Sequence, residues 1–301
     1  MPIYDFTVLT ASKYLKAKPG DEYTRNILTE DTLVMKALES QGYRVNRLAW
    51  DDRDFNWRKT RFALFRTTWD YFDRFVEFRH WLDLAGRQTT LINCLELIRW
   101  NMDKHYLLDL CRRGIRIPPT RFIEPGETAS LNQLAQSTGW AEFILKPAVS
   151  GGGRHTYRFK LQDADRYQSV FQDLIRNESM LLQEFLTSVP LRGEVALMVI
   201  GGRYTHAILK KAKSGDFRVQ DDFGGTVHDY RPDHSEILLA EQIVNLCPKP
   251  PVYARVDLIW DNQEQPCVSE LELIEPELWF RNNPAVADQL AESIVHYVER
   301  L

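Results

Sequence analysis

The chain has 301 residues, with 38 basic and 42 acidic side chains and a formal net charge of -4. This near balance argues against nucleic-acid and anionic-membrane partners, because both need a clear excess of basic residues. Hydrophobic residues make up 44% of the chain, which excludes a disordered protein and leaves enough apolar surface for two domains, or for three small lobes that share a core.

The first hundred residues alternate short apolar runs with amphipathic stretches, a pattern typical of a β/α layer. Apolar runs predict strands over 6–10, 43–49 and 62–65, and helical spacing predicts helices over 27–41 and 75–85. Strand, helix, strand, strand, helix indicates a small doubly wound α/β unit.

Beyond residue 100 the pattern changes to α+β. Helices are predicted over 103–113, 163–175 and 285–300, and strands over 143–146, 156–160, 180–183, 194–200, 203–210, 253–260 and 268–274. Gly201-Gly202 is a two-residue hairpin signal between the longest of these strands.

The four cysteines are dispersed and include no C-x-x-C pair, so the sequence contains neither a zinc knuckle nor a dithiol redox motif. The N-terminal segment has only short apolar pieces, and no apolar run approaches the roughly 18 residues that a membrane-spanning helix needs. We therefore predict a cytoplasmic protein with reduced thiols and no membrane partner.

Three carboxylates near the C-terminus are expected on one face of a sheet. In Glu270-Leu271-Glu272, strand alternation sends both glutamates to one side about 7 Å apart, and Asp257 lies in the adjoining strand. Hard oxygen ligands at this spacing suit one or two Mg²⁺ ions that bridge substrate phosphates. A solvated sheet face, where Glu commonly alternates with Leu, explains the residues equally well.

Two other segments carry residue types that bind phosphate. Lys146 ends a predicted strand and precedes Ser150-Gly151-Gly152-Gly153-Arg154, whose glycines would let backbone amides approach a phosphate closely. The Walker A and G-x-G-x-x-G spacings are absent, and a triple glycine is more often a flexible hairpin. The run 209–218 holds four cations, which could gather polyphosphate charge or form an ordinary wet surface. Together with the carboxylates, these segments supply what an ATP–Mg²⁺ site needs.

The ordered series 181–186, Gly193-Glu194 and 211–218 resembles the ATP-grasp superfamily, in particular the ribosomal-protein glutamate ligases and bacterial glutathione synthetases. This resemblance covers about the last two thirds of the chain. Segments Arg66-Thr67-Thr68-Trp69-Asp70-Tyr71, 99–104 and 270–277 are also similar to the O-ureido-serine cyclo-ligase group of D-cycloserine synthesis, over nearly the whole chain.

The resemblance implies an ATP-grasp fold that combines α/β and α+β parts around the nucleotide. Residues 1–100 would form an N-terminal α/β substrate lobe and residues 101–187 a central lobe with the glycine loop. Residues 188–301 would form a C-terminal lobe with the metal site. The implied ligands are ATP and Mg²⁺, with Mn²⁺ as an alternative ion.

The resemblance also assigns roles to single residues. Lys146 and Arg218 would be catalytic, Arg218 as a cation near the γ-phosphate and the acyl-phosphate. The hinge 183–186 would hold adenine through backbone groups, with Glu194 near the ribose. The implied ATP-binding residues are Lys104, Lys146, Ser150, Gly151, Gly152, Gly153, Gln183, Glu184, Phe185, Leu186 and Glu194, and the implied metal ligands are Asp257, Glu270 and Glu272.

The metal motif departs from the superfamily pattern, because many ATP-grasp enzymes have Glu-x-Asn where this chain has Glu270-Leu271-Glu272. The extra anion either holds a second magnesium more tightly or has another duty. If its strand stays regular, Glu275 lies on the opposite face, where it would contact the acceptor substrate or pair with Arg281. Arg66 follows a predicted strand and is expected to bind a substrate carboxylate through its planar guanidinium.

The sequence therefore predicts an ADP-forming carboxylate–amine ligase that acts through an acyl-phosphate on a small amino-acid-like substrate. Intramolecular closure, as in the cyclo-ligase group, is one alternative, and phosphotransfer to a hydroxyl is another. A nucleotide-binding protein without catalysis is disfavoured because both lysines and all three carboxylates are present. A homo-oligomer is compatible with these features.

Overall fold

The structure is a computed structural model that describes residues 2–18, 20, 22–219 and 224–301. Within them the strands form three separate sheets. Each sheet takes its strands from one of the three ranges 1–100, 101–187 and 188–301. None of the described helices is long and apolar enough to cross a bilayer.

The N-terminal sheet is parallel, with the order β2-β1-β3-β4. Its strands are β1 (Tyr4–Thr10), β2 (Val45–Ala49), β3 (Thr60–Thr67) and β4 (Thr90–Ile92), and its helices are α1 (Ser12–Leu15), α2 (Glu22–Ser40) and α3 (Phe75–Ala85). The interiors of β1 and β3 are buried, as expected for parallel strands that are covered on both faces.

The central sheet is antiparallel, with the order β5-β8-β6-β7, and is preceded by two short helices. These helices are α4 (Leu95–Asn101) and α5 (Tyr106–Arg112). The sheet contains β5 (Thr120–Ile123), β6 (Glu142–Pro147), β7 (Tyr157–Lys160) and β8 (Met180–Glu184), and it packs with α6 (Leu131–Gln136) and α7 (Gln168–Ile175).

The C-terminal sheet is antiparallel, with the order β11-β10-β9-β12-β13. Its elements are α8 (Ser188–Arg192), β9 (Glu194–Ile200), β10 (Arg203–Lys211), β11 (Thr226–Tyr230), α9 (His234–Asn245), β12 (Tyr253–Trp260), β13 (Pro266–Glu272) and α10 (Ala285–Val298). Gly201 and Gly202 both have positive φ, at +57° and +79°, which is the conformation that a tight hairpin between β9 and β10 requires.

The N-terminal and C-terminal sheets share one hydrophobic core. Phe6 and Val8 of β1 pack in the same cluster as Ala196 and Met198 of β9, and α2 and α10 contact each other across it. The central sheet has a core of its own, around Phe143 and Phe171. The outer two sheets therefore share a core, and the central sheet, besides its own core, packs on the C-terminal sheet through Leu181 of β8 and Ala148.

Several predicted boundaries shift for identifiable reasons. Helix α2 begins at Glu22 rather than at residue 27, because its first turn is largely polar, with Glu22 and Arg25 exposed, and so carries no apolar periodicity. The segment predicted as a helix over 163–175 is a 3₁₀ helix, Leu161–Tyr167, followed by α7. Strand β13 ends at Glu272, since the amide and carbonyl of Leu273 pair with the side chains of Asn101 and Asn93 instead of with β12.

Candidate active site

A cleft of about 560 Å³ is lined by residues from all three parts of the chain. The predicted site residues meet there, apart from Arg66. They are Lys104, Lys146, Ser150, Gly151, Gly152, Gly153, Gln183, Glu184, Phe185, Leu186, Glu194, Arg218, Asp257, Glu270, Glu272 and Glu275. Residues far apart in the sequence, such as Lys104 and Glu270, which are 166 positions apart, thus face one cavity.

The three carboxylates predicted on one sheet face do converge. Asp257 on β12 is the register partner of Glu270 on β13, and Glu272 lies two residues further along. One oxygen from each carboxylate can be chosen so that all three atoms lie within 4.8 Å of one another. Leu271, between the two glutamates, points into the hydrophobic core. Strand alternation therefore separates a core face from an acidic face, as the sequence predicted.

Three buried cations compensate this acidic face. The ammonium of Lys104 lies 2.9 Å from Glu270, and that of Lys210 lies 2.9 Å from Asp257 and contacts Glu194. Arg255 donates to both oxygens of Asp257 at 2.9 Å and also contacts Glu272. Each carboxylate is thus paired, which is what burial of like charges side by side requires.

The pKa values of the three carboxyl groups shift in different directions. Burial raises the pKa of Asp257, but Arg255 and Lys210 outweigh it and hold that pKa below its ordinary value. For Glu270, Lys104 and Lys146 likewise outweigh burial and lower the pKa. Burial raises the pKa of Glu272 to about 7, because Arg255 compensates it only in part and the neighbouring carboxylates repel its charge.

Lys146 lies on the cleft face of β6, opposite the core residues Phe143 and Leu145 of the same strand. Desolvation by the cleft walls lowers the pKa of Lys146 to about 8, and the charge of Lys104 acts in the same direction. Glu270 lies near both ammonium groups and offsets part of their mutual repulsion. A phosphate chain placed between them would satisfy both.

The glycine loop 150–154 closes one side of the cleft against the N-terminal part of the chain. Gly152 and Gly153 have positive φ, at +56° and +70°, and a Cβ at Gly151 would lie 2.5 Å from the Phe72 ring. Arg154 forms ion pairs with Glu178 at 2.9 Å and with Asp73 at 3.3 Å. The glycines therefore permit both the loop conformation and its close approach to Phe72.

The hinge 183–186 follows β8 and lines the cleft. The amide of Glu184 donates to the Pro119 carbonyl at 3.0 Å, and the amide of Phe185 donates to the Glu142 carbonyl at 2.9 Å. Both amides thus donate hydrogen bonds within the protein. An adenine would therefore be bound by the other backbone groups of the hinge. Arg218, on the facing loop, forms a two-point ion pair with Asp216.

Glu275 was predicted on the opposite face only if its strand stays regular, and that condition is not met: β13 ends at Glu272, and Glu275 lines the cleft. Its role at the acceptor substrate stays a prediction. Its alternative role, a salt bridge with Arg281, is wrong, since Arg281 pairs with Glu30 and Glu277.

Arg66 lies outside the cleft lining. Its side chain is 1% exposed, its guanidinium lies 3.8 Å from Glu30, and its charge sits above the ring of Phe280. An arginine enclosed in this way does not reach a substrate in the cleft, so its expected contact with a substrate carboxylate is not supported. The end of β3 points Arg66 toward the buried side of the sheet, which the sequence pattern did not reveal.

Several cleft residues were missed by sequence reasoning. Arg255 precedes Asp257 by two positions in a strand, so alternation could have placed both on one face. Lys210 was predicted only as one of the four cations of the run 209–218, and its pairing with Glu194 across β9 and β10 follows only from the hairpin register. The aromatic wall, which we define as Tyr14, Tyr23 and Trp69, also lines the cleft, and no sequence signal indicated it.

The donor set fits a magnesium ion. Asp257, Glu270 and Glu272 offer only carboxylate oxygens, the ligands that hard divalent cations prefer. Lys104, Lys210 and Arg255 now balance these charges, so a cation could replace part of that pairing. No other group of three or more such ligands occurs within the described ranges.

Comparison with known proteins agrees with this geometry. Residues 103–278 match the family described as RimK-like ATP-grasp domain, and residues 7–93 match the N-terminal domain of D-cycloserine synthetase DcsG. The chain is 30% identical over 263 residues to the cycloserine biosynthesis protein DcsG of Streptomyces lavendulae, with 81% of this chain and 86% of that protein covered.

Solved structures show the same relationship. The crystal structure of D-cycloserine synthetase DcsG superposes with a TM-score of 0.84 at 25% identity, and covers 97% of this chain and 99% of its own. The D-alanine–D-alanine ligase of Bacillus anthracis has a TM-score of 0.68 at 14% identity, covering 99% of this chain and 98% of its own, which shows a shared fold. The chain therefore belongs to the ATP-grasp ligases, with a RimK-like ATP-grasp domain that follows an N-terminal domain of the D-cycloserine synthetase type.

Proposed function

We propose that this ATP-grasp ligase is an ADP-forming carboxylate–amine ligase that acts through an acyl-phosphate on a small amino-acid-like substrate. The observation that supports it best is the convergence of Lys104, Lys146 and the Asp257/Glu270/Glu272 carboxylates on one cleft. Lysines and a metal-binding acidic face in one cavity match the charge requirements of a nucleoside triphosphate.

In the proposed reaction a substrate carboxylate oxygen attacks the γ-phosphorus of ATP and ADP leaves. An amine nitrogen then attacks the acyl carbon of the acyl-phosphate, and phosphate leaves. Lys104 and Lys146 would bind phosphate oxygens, and the glycine loop 150–154 would exclude water from the acyl-phosphate. Magnesium held by the three carboxylates would supply neutralisation of phosphate charge. Arg218, which lines the same cleft, would stabilise negative charge on the transferred group.

The three ranges 1–100, 101–187 and 188–301 remain our proposed lobes. The shared core of the first and third supports a rigid body against which the central lobe can close on nucleotide. All four cysteines are free, in keeping with the proposed cytoplasmic location.

The experiment is to incubate purified protein with Mg²⁺-ATP and a panel of amino acids and to measure ADP, phosphate, AMP and pyrophosphate. We expect ADP and phosphate in equal amounts, in response to at least one amino acid. Lys146→Ala or Glu270→Ala should reduce turnover by about two orders of magnitude or more, as for loss of one charge-stabilising group. AMP and pyrophosphate as products, or variants within a few-fold of the parent, would contradict the proposal.

Intramolecular ring closure is the second candidate, favoured by the match of both the N-terminal and the RimK-like regions to DcsG proteins. Product mass separates the two reactions, because closure with loss of water incorporates no second substrate. A stable phosphorylated product without free phosphate would instead indicate phosphotransfer to a hydroxyl.

A further inference from the structure

A second charged cavity lies in the N-terminal part of the chain, and we name it the arginine cavity after Arg58, Arg61 and Arg87. Its volume is about 450 Å³, and none of its lining residues lines the catalytic cleft. Thr60 and Thr90, which begin β3 and β4, also line it. The arginine cavity therefore lies at the amino ends of these parallel strands, whereas the aromatic wall of the catalytic cleft follows the carboxyl ends of β1 and β3.

The positive charge of the arginine cavity is poorly compensated within the protein. No carboxylate occurs among the described residues that line it. Arg58 and Arg87 are exposed and form no ion pair with the described residues, and Arg61 lies 3.5 Å from Asp5. Asp5 is also bound by Arg44 at 3.1 Å, so it compensates Arg61 only in part. Three guanidinium groups around a cavity without an acid suit an anionic ligand group, which they can bind through paired hydrogen bonds.

The arginine cavity adjoins a larger one, which we call the aromatic cavity and define by Phe55, Trp57, Trp81 and Leu84. Its volume is about 650 Å³, which is within the range of small-ligand sites. The Trp57 ring lies 5.0 Å from the Phe55 ring and 5.2 Å from the Trp81 ring, in edge-to-face contact with both. Arg58 lines both cavities. The two cavities therefore meet at Arg58, with an apolar wall on one side and arginines on the other.

The carboxylates that line the aromatic cavity already have partners. Asp51 and Glu77 pair with Arg74 at 2.6 and 2.8 Å, and Asp52 accepts two backbone amides at 2.9 and 3.1 Å. By contrast, the indole Nε1 of Trp81 is buried and has no acceptor among the described residues. A buried N–H without an acceptor is costly, and an oxygen of a bound ligand is one acceptor that would satisfy it. The polar groups of this cavity thus favour an acceptor over a cation.

We propose that the two cavities together form a binding site for a small amphipathic anion, which places an aromatic ring in the aromatic cavity and a carboxylate or phosphate group in the arginine cavity. Aromatic rings pack edge to face on one another, and guanidinium groups bind carboxylate and phosphate alike. An acid without a ring would use only half of the site. The site is independent of the proposed ligation, because none of its residues lines the catalytic cleft.

The test is calorimetric titration of the full chain with 3-phenylpropionate and with 2-phenylethyl phosphate, which join the ring to either anionic group. The matched probes are 3-phenylpropan-1-ol, which has the ring without the charge, and propionate and inorganic phosphate, which have the charge without the ring. Mg²⁺-ADP is present throughout to occupy the catalytic cleft. We expect at least one ring-bearing anion to bind at least about 10-fold more tightly than its matched probes, since each of them lacks either the charged hydrogen bonds or the apolar contact.

Arg58→Gln and Arg87→Gln each remove one charge from the arginine cavity. Each should weaken binding of the ring-bearing anion about 10-fold and leave the affinity for Mg²⁺-ADP unchanged. Leu84→Ser, at a position that is 43% exposed, should weaken binding of the ring-bearing anion but not of inorganic phosphate. Arg79→Gln is the matched control, because Arg79 is an exposed arginine of α3 that lines neither cavity, and its loss should change the affinity less than about 2-fold.

Equal binding of the alcohol or of the acids without a ring would overturn the proposal, and so would arginine variants with unchanged affinity. Absence of binding by both ring-bearing anions at millimolar concentration would overturn it too. Tighter binding of tetraglutamate would assign the arginine cavity to an acidic protein segment instead. If sedimentation shows that Leu84→Ser converts an oligomer to a monomer, a second copy covers the aromatic cavity and the proposal fails. None of these outcomes depends on catalysis, so the proposed function is tested separately.

Discussion

Lys146 is a cleft residue whose charge should respond to pH just above neutrality, in addition to Glu272, whose pKa is raised to about 7. Its pKa is lowered to about 8 by desolvation and by Lys104, so the ammonium form present at pH 7 is lost as the pH rises through about 8. We therefore expect the affinity for ATP, measured by calorimetry, to fall between about pH 7 and pH 9.

Lys146→Arg keeps its charge over this range, because the guanidinium does not lose its proton. Its affinity for ATP should change much less with pH between the same limits. An equally steep decrease in Lys146→Arg would assign the pH dependence to another group. The comparison thus separates the titration of this side chain from that of the nucleotide.

Glu272 replaces the asparagine of many related motifs, and the structure gives its charge a partner. Arg255 contacts Glu272 as well as Asp257, so part of the extra negative charge is already compensated. We expect Glu272→Asn to fold normally but to need more Mg²⁺, with the half-saturating concentration raised about 10-fold through loss of one anionic ligand. The measurement is a Mg²⁺ titration of ATP turnover. An unchanged Mg²⁺ requirement would show that Glu272 serves as the ion-pair partner of Arg255 and does not bind the metal.

At the scale of elements, the approach of the glycine loop to the N-terminal lobe depends on Gly151. A Cβ there would lie 2.5 Å from Phe72, so Gly151→Ala should displace the loop and lower kcat/KM for ATP by about 10-fold or more. Phe72→Ala removes the ring that the new Cβ would meet. Gly151→Ala should therefore lower kcat/KM for ATP less in the Phe72→Ala background than in the parent. Additive effects of the two substitutions in a double-mutant cycle would show that the contact does not matter.

The individual elements of the site were largely predictable from local patterns. The strand alternation around Glu270 and Glu272 needs only a period of two, and structure and prediction agree there. The place of Glu275 could not be predicted in this way, because it depends on where β13 ends. That end is set by two hydrogen bonds of Leu273: its carbonyl accepts from Asn93 and its amide donates to Asn101, 180 and 172 positions away in the sequence.

At the scale of the whole molecule, Asn93 connects the N-terminal and C-terminal parts of the chain. Its amide nitrogen donates to the carbonyls of Tyr253 and Leu273 at 2.9 and 2.8 Å, and its oxygen accepts from the amide of Val252 at 2.6 Å. Asn93→Ala would leave these buried groups unpaired, so we expect the free energy of unfolding to fall by about 3 kcal/mol or more. Chemical denaturation followed by circular dichroism measures this loss.

Asn132→Ala is the matched control for that measurement, since Asn132 donates only an exposed hydrogen bond to Asp165. It should change stability by less than about 0.5 kcal/mol. Equal losses of unfolding free energy in the two variants would show that the hydrogen bonds of Asn93 do not hold the two sheets together. Because those sheets share a core, we also expect them to unfold in one transition.

The sequence by itself determined the kind of elements, the acidic strand face, the glycine loop and the family resemblance, because each is written in residues that are close along the chain. Only the tertiary structure decided which charges pair: Lys210 with Asp257, Arg255 with Glu272, and Arg66 with Glu30 away from the cleft. It also decided that Glu275 and Trp69 meet across 206 positions of sequence. Ion pairing and burial depend on distances in space, and these are fixed by sheet register, by strand ends and by a core that joins the two ends of the chain.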